Sequence, residues 1–103
     1  HIAPSGAFRR KSTKLQEVIY MTTITLIKSA VSKEAVRNSL SGHTPDVRHI
    51  FITNAIDSLN KEIEQDIISG NTDIAIFKMS QVVMLEDERH IVERVLLKTV
   101  VAP

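Results

Sequence analysis

From Val47 to Ile67 the apolar positions recur at intervals of three and four. Ile52, Ile56, Leu59, Ile63 and Ile67 form one stripe, and Val47, Phe51 and Ala55 widen its first half. Asp57, Asn60, Lys61, Glu64 and Gln65 take the other side. This is the pattern of an amphipathic helix with one buried face, and its ends agree with it. Thr44 stands at the N-cap, Pro45 at a first helical position that lacks no hydrogen bond, and Asp46 beside the positive helix end. Gly70 supplies the stop. A helix over 45–69 would be roughly 37 Å long. A shorter helix is expected over 32–41, capped by Ser32, ended by Gly42 at positive φ, and striped by Val31, Ala35, Val36 and Leu40.

On either side of these helices the pattern changes. Glu17 to Lys28 is rich in β-branched residues, and Thr23 and Thr25 alternate with Ile24 and Leu26. That alternation predicts a strand over 17–28. Between Thr72 and Glu86, Phe77, Met79, Val83 and Leu85 would fall on one strand face, with Ile74, Ile76, Val82 and Met84 on the other. Ile91 to Val101 is again rich in Val and Leu. Strands over 73–86 and 90–101 would then make a hairpin that turns at Glu86 to Arg89. A helix from Asp87 to Thr99 is the rival, because Val92, Val95, Leu96 and Thr99 also fit helical spacing; the β-branched content favours the strand.

The expected fold is therefore α+β: about three strands, with the short and the long helix packed on one sheet face. Both hairpin faces carry large apolar residues, and the helices can cover only one. The uncovered face (Ile74, Ile76, Val82, Met84), together with the acidic turn Glu86, Asp87 and Glu88, is the candidate partner-binding surface. It argues for a homodimer and for an unidentified protein partner.

Composition narrows the function classes. The 103 residues suffice for one domain with a modest core. Cysteine is absent, which excludes disulfides, thiolate zinc sites and a cysteine nucleophile. Only Phe8, Phe51, Phe77 and Tyr20 are aromatic, too few for a base-stacking platform. No apolar run approaches the roughly 18–20 residues of a membrane span, so no membrane association is expected and a cytoplasmic location is.

Residues 1–16 lack sustained periodicity and read as a flexible N-terminal arm ahead of a domain over 17–103. Gln16-Glu17-Val18 can be encoded by codons that contain a bacterial ribosome-binding sequence, with Met21 a few codons on. On that reading residues 1–20 are translated leader or vector sequence, and the chain is bacterial or from a bacterial mobile element. A native arm is the alternative. The distinction matters for charge. The chain carries 13 basic and 12 acidic residues, a net of +1. Without Arg9, Arg10, Lys11, Lys14 and Glu17 the remainder has 9 basic and 11 acidic residues, a net of −2. The mild basicity belongs to the arm.

Candidate chemistry is sparse. His43, His49 and His90 are spaced six and forty-one apart, with no H-x-x-x-H or H-E-x-x-H arrangement. No metal, cofactor or catalytic residue is expected. Three glycines in the whole chain leave no phosphate-cradling loop. The short-helix, turn, long-helix layout allows a second reading, a nucleic-acid-binding regulator with Arg9, Arg10, Lys11, Lys14, Arg37 and Arg48 on phosphates. Val47, Ile50, Phe51 and Ile52 make the presumed reading end apolar. The leading expectation is a small non-enzymatic interaction or regulatory protein that acts as a homodimer.

Overall fold

The computed structural model describes the backbone of residues 2–101 and the side chains of residues 14–98. Its elements are α1 (Ile2–Lys28), α2 (Lys33–Ser39), α3 (Pro45–Ile68) and α4 (Thr72–Val101). No strand occurs among the described residues. The expected α+β fold is therefore replaced by an all-helical one. Residues 17–28 are the last part of α1, and the two strands expected over 73–86 and 90–101 are a single continuous helix. The expected hairpin turn at Glu86 to Arg89 lies inside α4.

Burial shows why the strand reading fails. Successive residues of a strand point to opposite faces, yet Thr23 and Ile24 are both 7% exposed while Leu26 is 52% exposed. Tyr20, Thr23, Ile24 and Ile27 lie three and four apart and turn inward together. The threonines adapt by bonding back to the preceding turn: Thr23 Oγ1 donates to the Ile19 carbonyl at 2.8 Å and Thr25 Oγ1 to that of Met21 at 2.9 Å. In α4, Phe77, Val83 and Leu85 were expected on one face, but Leu85 is fully buried while Phe77 and Val83 stand out in solvent. The inner side of α4 instead carries Ala75, Gln81, Val82, Leu85 and Glu88, all buried, with half-buried Lys78 among them and half-buried Val92 one turn beyond. Each β-branched residue costs a few tenths of a kcal/mol in a helix. Burying one large aliphatic side chain is worth about 1.5–3 kcal/mol, so packing decides.

The turns are set by individual residues. Ser32 caps α2, its hydroxyl accepting from Ala35 N–H at 3.1 Å. Thr44 occupies the N-cap of α3 without capping it, because its hydroxyl donates to the Asp46 carboxylate. Gly42 does not have the positive φ expected of it; among the described residues only Gly70 does, at 82°. There Asn71 N–H reaches the Asp66 carbonyl at 2.7 Å and Gly70 N–H that of Ile67 at 3.1 Å. This is a Schellman stop. It folds α4 back along α3, the most extensive packing in the molecule.

The buried face of α3 (Phe51, Ile52, Ala55, Ile56, Leu59, Ile63) is central to one core. To that core α1 adds Ile24 and Ile27, α2 adds Val36 and Leu40, and α4 adds Ala75, Val82 and Leu85. Polar ties cross the same junctions. Lys28 of α1 pairs with Glu62 of α3 and donates to Ser58 Oγ at 2.8 Å. Lys78 of α4 meets Glu62 at 3.1 Å and Asp66 at 2.7 Å. Buried Gln81 donates to the Lys28 carbonyl at 3.1 Å, so α4 satisfies an end carbonyl of α1. The result is flat, 56 × 43 × 20 Å, with a radius of gyration of 16.9 Å. A compact chain of this length would have about 13 Å.

Candidate functional site

A marked concavity among the described residues lies between α2, the first two turns of α3 and the middle of α4, a groove of about 350 Å³. Its apolar lining is Val36 and Leu40 of α2, Ile52 of α3, and Ile91 and Val92 of α4. Val36, Leu40 and Ile52 are core residues, at most 2% exposed. The polar lining is Arg37, Asn38, Ser41, Arg48 and Glu88.

The ionic groups are fixed in place. Glu88 is buried, its side chain 5% exposed, and Arg37 grips it in fork geometry: Nε to Oε1 at 2.8 Å and Nη2 to Oε2 at 2.9 Å. A bidentate pair of this kind satisfies both carboxylate oxygens. The hydrogen bond and charge of Glu88 push the Arg37 pKa further above its ordinary value. Lys33 meets Asp87 at 3.2 Å, a second tie between α2 and α4. Arg48, one turn into α3, donates from Nε to the His43 carbonyl at 2.7 Å. With Nε so engaged, the terminal nitrogens of Arg48 stay available at the groove wall. Two guanidinium groups and one carboxylate leave the groove with a single net positive charge.

A second polar cluster joins α3 to α4. Glu93 bridges His49 Nε2 at 3.0 Å and His90 Nδ1 at 3.2 Å. The hydrogen bond from His49 holds the Glu93 carboxyl below its ordinary range. No group of three or more His, Asp or Glu side chains among the described residues is arranged to hold a metal ion.

The residues singled out from sequence are distributed unevenly. Arg37, Arg48 and Glu88 converge on the groove, although Arg37 and Arg48 were grouped for phosphate contact and Glu88 for an acidic patch. Of the expected partner surface, Ile74 and Ile76 are exposed, Met84 is half-buried and Val82 is in the core. Glu86 is half-exposed and Asp87 exposed on α4. Lys14 is exposed, while the side chains of Arg9, Arg10 and Lys11 lie outside the described residues. Asn38, Ser41, Ile91 and Val92 of the groove were not singled out. For Ile91 and Val92 the only signal is helical phase: once α4 is a helix, Leu85, Glu88 and Val92 fall on one line and Ile91 beside it; Asn38 and Ser41 carry no such signal.

Fold and groove together define a small four-helix protein with an amphipathic cleft and a large apolar exterior. No family model matches the chain, and neither a curated protein nor a solved structure is significantly similar to it. No helix among the described residues is long and apolar enough to cross a membrane.

Proposed function

We propose that this is a non-enzymatic interaction protein that works in the cytoplasm as a homodimer, associating through the outward face of α4. The observation that carries the reading is the inverted dress of that helix. Its inner side spends positions on Lys78, Gln81 and Glu88, while Ile76 and Val83 are 58% and 59% exposed. Ile76, Met79 and Val83 lie at i, i+3 and i+7, a ridge that a second helix can pack against. Phe77, 57% exposed, flanks it. Exposed apolar side chains grouped on one helix face in this way mark an interaction surface. The thin body and large radius of gyration support the same reading, because a two-fold contact along α4 would thicken the molecule and bury this ridge against its copy. The non-enzymatic part rests on the groove, whose buried carboxylate is spent on Arg37.

Sedimentation velocity across micromolar concentrations tests the proposal. Wild type is expected to sediment as a dimer, and Ile76→Glu combined with Val83→Glu as a monomer of unchanged helical content. A wild-type monomer throughout that range overturns it.

A further inference from the structure

We propose that the groove between α2, α3 and α4 binds a small aliphatic carboxylate, its chain on the apolar floor and its head on Arg48. The inference is independent of the dimer, which uses another face of α4. Size sets the first limit: about 350 Å³ is at the small end of the roughly 300–1,000 Å³ of ligand sites. A short chain fits that volume better than a nucleotide. The apolar surface open to a ligand is aliphatic, Ile91 at 40% exposure and half-buried Val92, with Val36, Leu40 and Ile52 closing the groove from beneath.

The wall selects the head group. Arg37 has committed Nε and Nη2 to Glu88, and Arg48 has committed only Nε, to a backbone carbonyl. An arginine anchored through Nε presents its two terminal nitrogens as a preset pair of donors, which matches a carboxylate. The single net positive charge of the groove favours a monoanion, and the buried Glu88 disfavours a dianion such as a phosphate ester. A neutral alcohol offers one acceptor oxygen and no charge, so it cannot form the bidentate, charge-assisted pair with Arg48.

Titration of the full chain with octanoate, followed by the backbone amide resonances, tests this. Octanoate should bind saturably, one per chain, and shift Val36 to Ser41 together with Ile91 and Val92. Octanol, which lacks the charge, and acetate, which lacks the chain, should each bind at least about tenfold more weakly. Arg48→Gln should weaken octanoate by about tenfold, the expected loss for charge-assisted hydrogen bonds, with Arg48→Lys between the two. Thermal unfolding of each variant verifies that the fold is retained; should Arg48→Gln not fold, the comparison among octanoate, octanol and acetate on wild type decides. Equal affinity for octanol and octanoate, an Arg48→Gln variant that binds as wild type, or shifts confined to Ile76 and Val83 would each overturn the proposal.

Discussion

Gly70, Thr53 and Glu88 show how much a single position can control here. Gly70 sits at a φ of 82° with no atom within 4 Å of where a Cβ would be, so a side chain there meets backbone strain and no steric clash. Gly70→Ala should cost about 1 kcal/mol, read from the urea midpoint. Thr53 Oγ1 is the one buried side-chain oxygen among the described residues without a hydrogen-bond partner. Thr53→Val keeps the shape and removes the orphan. It should leave stability unchanged or raise it by up to about 1 kcal/mol; a clear loss would mean that the hydroxyl is engaged. At the Arg37–Glu88 pair the two halves are unequal, because the Glu88 side chain is 5% exposed and that of Arg37 58%. Arg37→Ala strands a buried carboxylate, whereas Glu88→Met returns Arg37 to water and fills the site with apolar volume. Urea denaturation should therefore show the larger fall for Arg37→Ala.

At the scale of elements, the legible parts of the sequence were those in which local chemistry and burial agree. The long helix has its stripe, its proline and its glycine stop in the right places, and the structure has α3 at Pro45–Ile68. For α1 and α4 the two disagree. Val18, Ile19, Thr22, Thr23, Ile24 and Thr25 speak for strand one residue at a time, and only the core on α3 gives them a reason to be helical. In α4 the inner line includes Gln81 and Glu88, both 4% exposed, so no clean apolar stripe exists to be read. Both residues are buried because of partners far away in sequence, the Lys28 carbonyl and Arg37, and no window on α4 contains them. The groove was hidden for the same reason. The α3–α4 seam should be the most sensitive place to truncate: Ile52→Ala or Leu85→Ala should each cost about 2–5 kcal/mol. The junction of α1, α3 and α4 should be sensitive to acid. Lys28, and then Lys78, hold the Glu62 carboxyl below its ordinary value of 4.5. A depressed carboxylate pKa stabilises the fold above the unfolded value, and that contribution is lost as pH falls through the folded one. Thermal midpoints should thus drop as pH falls below about 4.5, and Glu62→Gln should flatten the drop while lowering the plateau at neutral pH.

For the whole molecule, the mismatch between a core of ordinary aliphatic residues and an exterior bearing Ile76, Phe77 and Val83 sets the expected behaviour. If two copies pair along α4, the thermal midpoint should rise with protein concentration, and the Ile76→Glu, Val83→Glu pair should remove that dependence. The order of the helices along the chain adds a constraint on biogenesis. The best-packed unit, α3 turned back on α4 at Gly70, is built from residues 45–101. During synthesis, at about 5–20 residues per second, α1 and α2 leave the ribosome before the surface they pack on has been made. Ile24, Ile27, Val36 and Leu40 then wait for several seconds with no core to join. The helical hairpin that follows is local and should form quickly, so it should serve as the template onto which α1 and α2 dock. The nascent chain is most exposed to aggregation or chaperone capture in that interval, before Gly70 has brought α4 home.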